Sequence, residues 1–209
     1  MGVTHILQED EDDCGPTCIA MTTGISLNQV KKQVPIHKRG TYAPQLASYI
    51  LSQGYRVEYT YFNPNVTTLK EEGKNAEYLR DKIRGMRCKD DDCRKAYSYM
   101  YHYLGQGRLQ VQIPTVTLLE HYLDNGYAGI ALMTNVYMSE DTKTWLNYHF
   151  TVLVSHTDTD FVIYDPEEKE PLVIPKEKYL LSVFALCSSS AIDYGSIVWI
   201  KEELRSHIK

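Results

Sequence analysis

QEDEDDCGPTC, from Gln8 to Cys18, sets five acidic side chains against a cysteine that is followed by glycine and proline. A structural cysteine gains nothing from such neighbours, whereas a reactive thiol has use for a helix mouth and a polar partner just upstream. Pro16 suits a first helical turn and Gly24 closes the stretch CGPTCIAMTTG, so a helix is predicted to begin near Cys14. Asp13 is then the candidate N-cap, and the unpaired amides and positive dipole end would stabilise a thiolate at Cys14. The acidic run from Glu9 to Asp13 opposes this, because nearby negative charge raises a thiol's pKa, and a local cation must compensate. Cys18 lies one helical turn further on and is assigned to the core.

Working outward, SLNQVKKQVP reads as a second short helix, with Ser26 and Gln29 as a capping box and Pro35 as the stop. APQLASYILSQG repeats the pattern and ends at Gly54, and YRVEYTYF alternates as a strand. Residues 63–112 turn charged and tyrosine-rich and are read as a helical insertion around the loop CKDDDC. TVTLLEHYLDNG then predicts a helix with Thr117 and Glu120 as its capping box. YAGIALMTNVYM, YHFTVLVS, DFVIYDP, PLVIP and SIVWI follow as short β-branched strands, with LLSVFALC as an ambiguous interruption. Helices first and neighbouring strands later predict one α+β domain over residues 1–209, its helical N-terminal half packed on an antiparallel sheet.

Composition narrows the partners. Lys and Arg total 22 against 27 for Asp and Glu, a formal charge of −5, which argues against nucleic acid. No apolar run reaches the roughly 18 residues that a membrane helix needs, and MGVTHILQED has neither a basic n-region nor a long apolar h-region. Five cysteines make an odd number for a disulfide scaffold, so a reducing, cytoplasmic setting is expected, without excluding export by another route. The triplet at Asn65 is then an idle glycosylation signal. The sequence is silent on oligomeric state.

A thiol nucleophile needs a base, and histidine is the usual one, since it holds the thiolate and later protonates the leaving amine. His149 sits within NYHFTVLV, a strand apolar on both faces, so packing would fix its ring. Sixteen residues later DFVIYDP ends at Asp165, and two adjacent antiparallel strands would bring that carboxylate to the imidazole, completing a triad. Gln8, six residues before Cys14, has an amide able to donate to an oxyanion beside the backbone N–H of Cys14.

These residues carry a resemblance. Gln8 to Cys18, HFTVLV at His149 and YDP at Asp165 resemble the papain-like cysteine peptidases that process bacteriocin and double-glycine leader peptides, over about residues 5–62 and 113–201. The resemblance implies a papain-like fold, with Gln8 as oxyanion donor, Cys14 as nucleophile, His149 as base and Asp165 as orienter. Related cysteine-glycine motifs occur in a eukaryotic group named for a guanylyl cyclase domain. Exporter-type members are fused to a transporter, whereas this chain shows no such segment, and the 63–112 insertion lies where it would cover or reshape a substrate groove.

The expected activity is thiol-dependent hydrolysis of a peptide or other amide bond through an acyl-enzyme on Cys14, acting on a peptide or protein without cofactor or metal. Acyl transfer or glutamine deamidation by the same triad, and a non-catalytic peptide-binding module, are the alternatives. Cys88 and Cys93 flank acidic residues but lack zinc spacing and a calcium loop, so they are assigned to a solvated loop. Tyr97, Tyr99, Tyr101 and Tyr103 are assigned to helix packing, and His121 and His156 are the reserve imidazoles. The acidic run reads first as a solvated patch and second as a feature favouring basic substrates.

Overall fold

A computed structural model describes residues 2–38, 40–88, 90–134, 148–184 and 195–201 of the chain. Helices α1 (Cys14–Thr23), α2 (Leu27–Gln33) and α3 (Ala43–Ser52) precede strand β1 (Arg56–Tyr61). Helices α4 (Ala76–Arg84) and α5 (Asp91–Tyr103) lead to β2 (Arg108–Val111), and α6 (Val116–Asp124) leads to β3 (Ala128–Thr134). The chain continues through β4 (Tyr148–His156), β5 (Asp160–Tyr164), β6 (Leu172–Pro175), α7 (Lys176–Phe184) and β7 (Ser196–Lys201). The distal part of YAGIALMTNVYM and the end of LLSVFALC fall outside the described residues, while Leu180–Phe184 of the latter is helical.

The strands form one seven-stranded sheet in the order β2-β1-β7-β3-β4-β5-β6. The fold is α+β as expected, and one pair departs from the antiparallel expectation: β2 runs parallel to β1, with Tyr59 opposite Leu109. A parallel neighbour needs a long crossover, which α4 and α5 supply, so residues 63–112 add an edge strand as well as helices.

Both faces of the sheet are covered, which explains why its central strands read as apolar runs. Along β7, Val198 and Ile200 enter the core shared with α1, α3 and α5, while Ile197 and Trp199 enter the opposite core with Leu119, Tyr179 and Val183. Gly129 lies between them because a Cβ there would meet Trp199 at 2.8 Å and Ile197 at 2.9 Å. The tyrosines of α5 divide as their spacing requires. Tyr103 is fully buried and donates to the Arg108 carbonyl, whereas Tyr101 lies beneath the guanidinium of Arg80.

Two helix starts differ from the sequence expectation. Ser26 caps α2 without a side-chain hydrogen bond. The cap of α6 is Thr115, whose hydroxyl accepts from Leu118 N–H, two residues before the predicted Thr117. At its far end α1 finishes as predicted, with Gly24 at φ 70°.

Candidate active site

The site is built where the start of α1 packs on β4. Close approach requires the glycine after Cys14: a Cβ on Gly15 would lie 2.0 Å from Thr41 Oγ1 and 3.3 Å from the Leu46 methyls. Seated this deeply, Cys14 is 7% exposed, and the backbone amides of Phe150 and Gly15 act on its thiol in the sense that favours the thiolate.

The same register places the acid. Val152 faces Tyr164, so the next residue, Asp165, falls opposite Thr151 and on the face that carries His149. His149 Nε2 and Asp165 Oδ2 lie 2.9 Å apart, both side chains buried. Asp165 Oδ1 accepts the Glu167 N–H at 2.9 Å, so one carboxylate both orients the ring and caps the turn after β5. His149 Nδ1 is buried without a hydrogen-bond partner among the described residues.

Gln8 reaches the site because the N-terminal segment is laid along this turn. The His5 ring stacks on Tyr164 at 4.8 Å and its Nε2 lies 2.9 Å from the Asp165 carbonyl oxygen. Gln8 N–H donates to the Pro166 carbonyl, and Gln8 Nε2 donates to Glu167 Oε1 at 3.3 Å. The structure thus gathers Gln8, His149 and Asp165 around one turn and sets Cys14 against the residue after His149.

The electrostatics correct two expectations. Asp13 occupies the N-cap position of α1, but its side chain makes no capping bond; it is buried and accepts from Lys31 at 2.6 Å and from the Asp10 N–H at 3.2 Å. Lys31 also contacts Glu9 and Asp10, which makes it the cation that offsets the acidic run. Hydrogen bonds to Asp13 and Asp10 hold its ammonium above the usual lysine range. Nor is the resting thiol a stabilised thiolate. Burial pushes Cys14 up to about 11, against the pull of the Phe150 and Gly15 amides and with help from the charges of Glu167 and Asp165. For His149, burial works to lower the pKa, but the hydrogen bond and charge of Asp165, with Glu167 and Glu168, outweigh it and hold the ring above its ordinary value.

Among the described residues, ligand atoms of His149, Asp165 and Glu167 lie within 4.8 Å of one another. Because Asp165 Oδ2 already engages the ring at Nε2, only Nδ1 and the Glu167 carboxylate are left to face an ion, fewer than a resident zinc requires. Cys18 is fully buried beneath the site, and His156 pairs with Asp124 at 2.9 Å, away from the thiol. Sequence reasoning missed His5, Lys31 and Glu167. The first two carry no local signal, whereas PEEKE directly after Asp165 placed Glu167 beside a proposed triad member.

No family model and no curated protein matches the chain. Solved structures do. A C39-like peptidase from Bacillus anthracis matches with a TM-score of 0.52 at 12% identity, covering 96% of this chain and 96% of that one. The peptidase domain of Streptococcus ComA, a bifunctional ABC transporter of a quorum-sensing pathway, matches with a TM-score of 0.50 at 13% identity, covering 96% and 99%. A double-glycine-motif protease from an AMS/PCAT transporter, solved with its leader peptide, matches with a TM-score of 0.48 at 15% identity, covering 96% and 92%. The chain therefore has the papain-like α+β fold of these cysteine peptidase domains. No helix among the described residues is long and apolar enough to cross a membrane.

Proposed function

We propose that this chain is a thiol-dependent hydrolase of peptide or other amide bonds, with Cys14 as nucleophile, His149 as base, Asp165 as orienter and Gln8 as oxyanion donor. The observation that carries the reading is the 2.9 Å contact of His149 Nε2 with Asp165, which leaves Nδ1 buried and, among the described residues, without a hydrogen bond, on the residue before the one whose amide acts on the Cys14 thiol. A ring held this way has one nitrogen committed to the acid and the other free to take a proton.

In the reaction, Cys14 Sγ attacks the carbonyl carbon as its proton passes to His149 Nδ1, and the carbonyl oxygen becomes an oxyanion facing the Gln8 amide and the Cys14 N–H. Asp165 stabilises the resulting imidazolium through Nε2–H. Collapse of the adduct breaks the C–N bond, and the amine leaves with the proton from His149, giving a thioester. Water, deprotonated by His149, then attacks the thioester, releasing a carboxylic acid and restoring the thiol.

The test is alkylation by iodoacetamide at neutral pH, mapped by mass spectrometry. Cys14 should label ahead of Cys88 and Cys93, both more exposed, and His149→Ala should slow it sharply. Equal labelling of every accessible cysteine refutes the cysteine–histidine pair. Peptide products that gain one water establish hydrolysis; joined products would establish acyl transfer, and loss of ammonia from glutamine would establish deamidation.

A further inference from the structure

Catalysis as proposed leaves Glu167 without a role. Its Oε1 accepts from Gln8 Nε2 at 3.3 Å and stands 3.8 Å from His149 Nδ1, a nitrogen that makes no hydrogen bond among the described residues and belongs to a side chain only 7% exposed. The charge of Glu167 also reaches the Cys14 thiol. One carboxylate is therefore close to the groups that a scissile carbonyl would have to meet. Its backbone is fixed, since Glu167 N–H donates to Asp165 Oδ1, but its side chain is 47% exposed and free to swing about its own torsions.

We infer that Glu167 is a specificity-determining residue that selects substrates carrying a positive charge beside the scissile amide: the cationic group draws the carboxylate off Gln8 and His149 and leaves Gln8 free to donate to the carbonyl oxygen. The inference rests on the hydrolase reading. A neutral substrate must turn the carboxylate into water with loss of its hydrogen bond to Gln8, whereas a cationic one replaces that bond with an ion pair. The surrounding charge has the same sign. Glu168 acts on His149 together with Glu167, and Glu11, Asp12, Glu168 and Glu170 are exposed and make no ion pair among the described residues. Lys31 is already engaged by Glu9, Asp10 and Asp13, and Lys169 is the lone cation of Pro166–Glu170. The Gln8 N–H to Pro166 bond ties the two acidic segments together.

Two peptidyl acyloxymethyl ketones, differing only in lysine or norleucine beside the reactive carbonyl, test this on the full chain through their second-order rates of Cys14 alkylation. The wild type should prefer the lysine probe by about tenfold. Glu167→Gln and Glu167→Ala should bring the ratio near one, chiefly by raising the norleucine rate. A wild-type ratio near one, or a ratio unchanged in both variants, overturns the inference. Iodoacetamide separates the two levels: selective reaction of Cys14 with equal rates for the two peptides leaves the hydrolase reading standing and removes this one, whereas a Cys14 inert to all three reagents removes both.

Discussion

Gly15→Ala is expected to loosen the structure at the point where the nucleophile is seated, by a mechanism that a second substitution can reverse. The new Cβ would lie 2.0 Å from Thr41 Oγ1, where carbon and oxygen normally keep about 3.3 Å, so something must yield by more than about 1 Å. Neither neighbour has much room, since Thr41 is 6% exposed and Leu46 is fully buried. Overpacking of this kind costs about 1–3 kcal/mol, while alanine in place of glycine in a helix returns roughly 0.5–1 kcal/mol, leaving a net loss of about 1 kcal/mol at mid-range and of up to about 2.5 kcal/mol. Thr41 Oγ1 has no hydrogen-bond partner among the described residues, so Thr41→Ala removes the clashing atom without orphaning another of them. Urea unfolding of the wild type, the two single variants and Gly15→Ala/Thr41→Ala should show a favourable coupling of about 1 kcal/mol or more. The Cys14 alkylation rate should follow, because the Gly15 amide acts on the thiol in the sense that favours the thiolate. Strict additivity, or a Gly15→Ala variant as stable as the wild type, would show that α1 does not approach Thr41 this closely.

Two further outcomes probe the separate parts of the site. His149 must be neutral to accept the thiol proton, so kcat/KM should rise with pH through a His149 pKa above the ordinary value; Asp165→Asn removes the largest raising influence and should move this acid limb to lower pH, with kcat down by about 10²-fold or more. A limb that stays in place or moves up would refute the assignment of Asp165. Gln8→Ala should cost about 10² in kcat while leaving iodoacetamide alkylation, which forms no oxyanion, near the wild-type rate; equal losses in both would exclude the oxyanion role.

The sequence was most legible where the signal is local. Short apolar runs broken by turn residues located β4 and β5, and with them His149 and Asp165, because a strand covered on both faces has to be apolar throughout. β2 escaped notice since RLQV alternates polar and apolar over only four residues at an exposed sheet edge, and nothing in them shows a parallel partner some fifty residues earlier. The acidic run misled for a related reason. Asp13 in an N-cap position looks like a cap, but the ammonium of Lys31, eighteen residues on, is a stronger partner for a buried carboxylate than a backbone amide. Nor does PEEKE alone reveal that its first glutamate turns back toward Gln8.

A site so rich in carboxylates would be a poor place to ionise a thiol on its own, and Cys14 is accordingly pushed up to about 11. Catalysis asks for something different. Moving the proton from Cys14 Sγ to His149 Nδ1 creates no net charge, so a field felt equally at sulfur and ring largely drops out of the transfer energy. What remains are the influences that differ between the two. The amides of Phe150 and Gly15 favour the thiolate at the sulfur alone, and Asp165 is hydrogen-bonded to the ring while touching the thiol only through space. Both differences drive the proton toward His149. Glu167 acts on the sulfur and on the ring in the same sense, so its removal should alter proton transfer little and leave the iodoacetamide rate nearly unchanged. A change of charge preference in Glu167→Gln would then report on the substrate that the carboxylate meets, and not on the thiol beneath it.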